Sequence, residues 1–131
     1  MCFSSVLFLP YRGVVTAGWP SPAEEELTDT INFEEWLVPN KVASCLVRVS
    51  TEAMSEAGIR PKDVVVMERG LKPQNEDVVI AEVDGEMVMR HYEERAGKVF
   101  LLPANKKFDI IQPQEAMKLV GVVTAVIRKY R

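Results

Sequence analysis

Few cysteines, a single histidine and the absence of any long apolar run set the first limits on this chain of 131 residues. Cys2 and Cys45 have neither the spacing of metal ligands nor the density of a disulfide framework. They point to a reducing, cytoplasmic setting, with no metal or cofactor expected. No apolar stretch approaches the ~20 residues that a membrane-spanning helix needs. Positive charge is not in excess either. The 16 Lys and Arg against 19 Asp and Glu leave a net charge of −3, whereas direct nucleic-acid binding usually shows as a basic patch. Internal repeats and low-complexity tracts are lacking too. What is present is ordinary: 47% apolar and 27% charged residues describe one globular domain large enough to bury a core.

Met1 to Leu9 is mildly apolar, and Val15-Thr16-Ala17 has the small residues of a signal-peptidase site. No basic stretch opens it, and Pro10, Tyr11 and Arg12 interrupt the apolar run, so a secretory leader is not expected. Ser21 can cap a short helix, with Pro22 at its first position and Glu24, Glu25 and Glu26 in a first turn whose dipole favours acids. That acidic run reads as a solvated face. Phe33, Trp36 and Leu37 have the spacing of a short helix with one buried side, ended by Pro39-Asn40.

From Asp77 onward the pattern is almost all strand. Val78 to Val83 and Glu86 to Tyr92 are joined by Asp84-Gly85, a strong hairpin signal, because a type I′ turn needs positive φ at both positions. Lys98 to Leu102 and Phe108 to Ile111 follow, and Leu119 to Ile127 closes the chain as a long strand. Its apolar Val120 to Ile127 stretch, if exposed at a sheet edge, invites pairing with another chain. Short strands at regular spacing with few helices predict a compact, mostly β domain of curled sheets.

The stretch from Ser44 to Met67 is the centre of this pattern. Leu46 to Val49 reads as a strand, Glu52 to Ala57 as a short helical turn, and Gly58 as its left-handed stop. Pro61-Lys62-Asp63 makes a turn, and Val64 to Met67 is a buried strand. This arrangement holds Ala53 and Met54 at a fixed, exposed lip, a place where many enzymes carry a nucleophile.

Val49 to Met54, followed by Gly58 to Asp63 and an apolar strand, resembles the LexA/UmuD family of self-cleaving serine–lysine peptidases. In that family the segment reads approximately V-x-G-D-S-M and then G-I-x-x-G-D. The likeness continues through Val83-Asp84-Gly85-Glu86 to Tyr92, through Leu101-Leu102-Pro103-Ala104-Asn105, and into Gly121-Val122-Val123. It implies the family's fold of curled antiparallel sheets with short helical turns and a flexible N-terminal arm. It divides the chain into an arm over residues 1–20, a connector over 21–40 and a peptidase-fold domain over 41–131. The family's nucleophilic serine falls on Ala53 and its general-base lysine on Arg90, so no catalytic residue is intact. Glu52 and Met54 line the vestigial pocket. The family's cleavage region falls on Ala17-Gly18, ahead of Trp19-Pro20-Ser21-Pro22.

The substitutions change what the site can do. A base lysine must be neutral to take the serine proton, whereas an arginine keeps its proton at any working pH. The unpaired charge of Arg90 calls for a carboxylate, with Glu52 the first expectation and Glu56 the second, or else for solvent. Ser50 and Ser55 flank the site but read as a turn hydroxyl and a side chain turned away. His91 neighbours Arg90 but points to the opposite strand face and reads as structural. Met87 and Met89 share a face, as core or interface filling.

What the resemblance implies is a catalytically degenerate, UmuD-like accessory subunit of an error-prone translesion polymerase of the UmuC type in the bacterial DNA-damage (SOS) response. It also implies a cytoplasmic homodimer that engages a RecA–single-stranded-DNA filament. Two alternatives stand beside it: a self-processing peptidase with an unrecognised dyad, and a decoy that pairs with an active UmuD homologue able to cut Ala17–Gly18 in trans. No helix-turn-helix pattern precedes the domain in this sequence, so a repressor of the LexA type is not expected.

Overall fold

The computed structural model describes residues 8–11, 29–112 and 117–131. The Ala17–Gly18 bond and the helix expected after Ser21 lie outside the described residues. The chain divides into two units, Met1–Pro39 and Asn40–Arg131.

In the first unit β1 (Phe8–Tyr11) and β2 (Asp29–Asn32) form a two-stranded antiparallel sheet. Phe8 lies opposite Asn32 and Pro10 opposite Thr30. Pro10 has no N–H to donate, which a strand with a free edge tolerates. The sequence reading did not include this pair. Helix α1 (Phe33–Leu37) follows directly, and the Asn32 side chain caps it by accepting a 3.2 Å hydrogen bond from the Glu35 N–H. The helix sits where the Phe33, Trp36 and Leu37 spacing puts it, but its expected buried side is absent. None of its residues is buried, and Trp36 remains 65% exposed. Five residues are too few for a stripe that a core can cover, and the Phe33 and Trp36 rings lie against each other instead, 6.0 Å apart.

The second unit is one six-stranded sheet built from β3 (Ser44–Arg48), β4 (Val64–Glu68), β5 (Val78–Val83), β6 (Glu86–Arg95), β7 (Lys98–Leu102) and β8 (Met117–Ile127). The strand order is β3-β4-β8-β5-β6-β7, and every pairing is antiparallel. Local turn chemistry fixes much of it. Asp84 and Gly85 have φ of 52° and 84°, as a type I′ hairpin requires. Ala96 and Gly97 repeat the geometry with φ of 53° and 77°, which carries β6 three residues beyond the expected Tyr92.

Two expectations are corrected. Phe108 to Ile111 is not a strand; only an isolated bridge joins Leu101 to Ile111. The chain turns back at Asn105, whose side-chain oxygen accepts from the Lys107 N–H and whose carbonyl accepts from the Phe108 N–H. More consequentially, β8 is not an edge. It lies between β4 and β5, so its backbone is paired on both sides and the edge argument for self-association is lost. Its apolar run reflects cover on both sheet faces.

Those faces carry two cores. Val49, Met54, Ile59, Val65, Met67, Ile80 and Met89 form one cluster, and Val79, Ala81, Leu101 and Val122 the other. Strand β8 is bulged against both neighbours: Thr124 falls between the residues paired with Val66 and Met67, and Val120 between those paired with Ile80 and Ala81. Bulges of this kind bend a strand and raise its twist, which is how a single sheet curls. Among the described residues no helix is long and apolar enough to cross a membrane.

Gly121 on β8 pairs with Ile80 of β5 and lies against Met67 of β4. A Cβ there meets Met67 Cγ at 2.6 Å, Met67 Sδ at 2.9 Å and the Glu68 carbonyl oxygen at 3.0 Å. The Met67 side chain is itself in the core, so it has little room to give. Gly121→Ala is therefore expected to lower stability by about 1–3 kcal/mol through overpacking, read as a lower urea midpoint. An unchanged midpoint would show that Met67 can move aside.

Candidate functional site

The turn after β3 is built from short-range hydrogen bonds. The Ala53 N–H donates to Thr51 Oγ1 at 3.1 Å, and the Ser55 N–H donates to the Glu52 carbonyl at 3.1 Å. Only Ser55–Ala57 forms a 3-10 turn, shorter than the helical turn expected from Glu52. It ends as predicted at Gly58, in the left-handed conformation with φ of 89°. Met54 is fully buried among Val49, Ile59 and Met89 and ties the turn to the core.

The exposed lip is not observed. Ala53 is 0% exposed, because the segment after β7 closes over it. The Ala104 N–H donates to the Ala53 carbonyl at 2.7 Å, and the Glu56 N–H donates to the Ala104 carbonyl at 2.8 Å. Asn105 Nδ2 adds bonds to the Glu52 carbonyl at 2.8 Å and to Ser55 Oγ at 3.2 Å. Pairing of this kind satisfies backbone groups that would otherwise be left unbonded in a covered site.

The far end of the same loop meets Arg90. That side chain is 8% exposed. Its Nη1 donates to the Met89 carbonyl at 2.9 Å, and its Cζ lies 5.5 Å from the centre of the Phe108 ring. Nε has no partner among the described residues. Among the described residues the expected carboxylate is not found: Glu52 and Glu56 are both exposed, and the loop places an aromatic face over the guanidinium. Burial pulls the guanidinium pKa below its ordinary value, yet arginine starts so high that the group stays charged. Ala53 and Arg90 are thus linked through one loop, by Ala104 and Asn105 at one end and Phe108 at the other. The sequence offered no sign of Phe108 in this role.

The remaining candidates fall into place around this loop. Ser55 Oγ partners Asn105 Nδ2, with no base in that bond. Ser50 is exposed at the strand end. His91 pairs across the sheet with Val78 while Arg90 pairs with Val79, so the two point to opposite faces. His91 Nδ1 lies 3.2 Å from the Glu76 carbonyl. Met89 is core at 5% exposed, whereas Met87, next to the hairpin, is 60% exposed.

A second cluster stabilises the turn from below. Buried Asp63 receives Arg128 Nε at 2.7 Å on Oδ1, and on Oδ2 both Arg128 Nη2 at 2.7 Å and the Arg60 N–H at 2.8 Å. Arg128 Nη2 also donates to the Gly58 carbonyl at 2.7 Å. The Val49 N–H donates to the Asp63 carbonyl at 2.9 Å, and the Lys62 N–H to the Val49 carbonyl at 2.8 Å. Lys62 takes φ of 82°, a left-handed value at the position where the resembled motif has glycine. Arg128, on the chain just after β8, carried no signal in the sequence.

Residues 10–124 match the family described as Peptidase S24-like. Protein SamA of Salmonella typhimurium is 33% identical over 115 residues, spanning 88% of this chain and 81% of that protein. Protein ImpA of the same species is 34% identical over 117 residues, spanning 88% and 79%. The LexA repressor of Carboxydothermus hydrogenoformans is 31% identical over 127 residues, spanning 95% of this chain but 62% of the repressor.

Two outcomes follow from this geometry. Arg90→Met roughly keeps the side-chain volume and removes a charge that is buried without a carboxylate partner among the described residues. It is expected to raise stability by about 1 kcal/mol, measured by urea unfolding, whereas a loss would mean that the Met89 and Phe108 contacts outweigh desolvation. Asp63 is held at about 2, chiefly by the hydrogen bond from Arg128 and then by the Arg60 N–H. Its pKa is depressed on folding, so this contribution is present above an unfolded value of about 3.9 and is lost as pH falls toward 2. Thermal melts between about pH 5 and 2 should show that decline, and Asp63→Asn should flatten it while lowering stability at neutral pH.

Proposed function

This chain belongs to the Peptidase S24-like family, and from that premise we propose that it is a catalytically inactive, UmuD-like accessory protein of SOS mutagenesis. It acts as a binding subunit for an error-prone translesion polymerase and works as a cytoplasmic homodimer. One observation carries the loss of catalysis. The position assigned to the nucleophile is a fully buried alanine, and the position assigned to the base is a charged, enclosed arginine.

Alanine supplies no nucleophile, and Arg90 cannot shed the proton it would need to shed in order to accept another. Members of such a unit act together, so losing either one already forfeits most of the rate. The closed loop adds a further obstacle. A peptide bond must lie against the nucleophile position to be cut, and Ala53 is fully covered. The likeness to SamA and ImpA over most of their lengths supports an accessory role, and the fold is then retained for its surfaces.

The purified chain is expected to stay full length at alkaline pH, with or without an activated RecA–single-stranded-DNA filament, as weighed by mass spectrometry. Ala53→Ser alone should remain uncut, because it restores a hydroxyl without a base. A fragment beginning at Gly18, with contaminating protease excluded, would sink the inactive reading. Failure to retain any polymerase in co-purification from damaged cells would sink the accessory role separately.

A further inference from the structure

We propose that the pocket between His91 of β6 and the turn at Asn75-Glu76 receives the side chain of an arginine carried by a partner protein. His91 points to the sheet face opposite Arg90, so the pocket stands apart from the peptidase site and from the reading above. It encloses about 470 Å³, and its lining includes Asn75, Glu76, His91, Glu93, Leu102 and Pro103. Strand pairing builds the floor. His91 lies opposite Leu102 and Glu93 opposite Phe100, so these four side chains share one face. Backbone bonds fix the wall. Glu76 takes φ of 79°, a left-handed value that side chains avoid. Its N–H donates to the Tyr92 carbonyl at 2.8 Å, and its own carbonyl lies 3.2 Å from His91 Nδ1. Asn75 Oδ1 accepts from the Glu94 N–H at 2.8 Å.

The polar groups of this lining are set to accept. A carbonyl can only accept, so His91 Nδ1 carries the proton of the neutral ring and Nε2 is left as an acceptor. Glu93 is engaged through one oxygen: Arg95 Nε and Nη2 both reach Oε2 at 2.8 Å, and Oε1 has no partner among the described residues. Glu76 adds a second carboxylate, and no Lys or Arg lines the pocket. The same face already shows what such a set takes. Arg95 binds the Glu93 carboxylate while its guanidinium lies 5.4 Å from the centre of the Phe100 ring. A carboxylate beside a flat ring thus seats one guanidinium. One step along β6 the pocket repeats that pairing with Glu93 Oε1 and the His91 ring, and Leu102 and Pro103 supply an apolar wall for the aliphatic stem.

Other cations fit less well. Among the described residues no three His, Cys, Asp or Glu side chains come together as metal ligands. A lysine ammonium is a compact, strongly hydrated charge without the planar fork that spans two acceptors and lies on a ring. Free arginine brings an α-carboxylate that Glu76 and Glu93 repel, whereas a peptide linkage removes that charge. The partner's backbone stays outside the pocket, because β6 is paired on both sides, by β5 and β7, and has no edge to which a strand can add.

The test titrates the full, nitrogen-15-labelled chain with an acetylated and amidated tripeptide, arginine between two alanines, and follows backbone amide resonances. Saturable shifts are expected at Asn75, Glu76, His91 and Glu93. The same peptide with citrulline, which keeps the shape and loses the charge, should leave those resonances in place, a control that does not alter the protein. Glu93→Gln should weaken binding at least about tenfold. Its ion pair with the exposed Arg95 contributes little to folding, and Glu76→Gln gives a second variant whose backbone demands are unchanged. Any of four results overturns the proposal: no shifts at these amides, equal shifts with citrulline, indifference to both glutamine variants, or binding of free arginine or spermidine at the pocket as tight as that of the tripeptide.

Discussion

The ion pair between Asp63 and Arg128 holds together pieces of chain that nothing local would join. Asp63 immediately precedes β4, Arg128 follows β8, and the carboxylate also receives the Arg60 N–H while the guanidinium reaches the Gly58 carbonyl. One bidentate contact therefore fixes the turn below Ala53, the entry of β4 and the exit of β8. Charge-assisted, two-pronged geometry of this kind imposes orientation as well as attraction. The strained backbone at Lys62 depends on it, since that residue lies directly between Asp63 and the turn and survives only where its surroundings over-determine it.

Above that clamp, the loop from Pro103 to Ile110 replaces what an open cleft would need. Its backbone bonds to the Ala53 turn, and Phe108 covers Arg90. Among the described residues, a charged group is left under an aromatic face with one carbonyl for a hydrogen-bond partner, an arrangement that contributes little to stability because desolvation offsets most of the attraction. The turn at Ala53 is thereby a closed joint, covered by this loop.

Much of this was legible in the sequence wherever the cause is local. Asp84-Gly85 announces its hairpin because few residues accept positive φ at both positions, and Gly58 marks the end of its turn for the same steric reason. The block from Val49 to Asp63 carried the family, and with it the fold. What depends on distant partners was not legible. The long apolar run after Val120 looks the same whether a strand lies at an edge or in the middle, and only the order of the sheet decides. That Arg90 would meet Phe108 and no acid depends on a loop that Asn105 folds back, and an asparagine gives no hint of where its amide will land. Arg128 had no local pattern at all.

The central place of β8 bears on how the chain assembles as it leaves the ribosome. Strands β3 and β4 can pair early, and β5, β6 and β7 can zip through their tight hairpins. These two pieces share no ladder of their own; each must present an unpaired flank until β8, the last of the strands to be synthesised, slides between them. Closing contacts over so long a sequence separation is slow, and open strand flanks are what holdase chaperones and aggregates both capture. The strand that makes the finished sheet continuous is also the one whose lateness leaves the nascent domain most exposed.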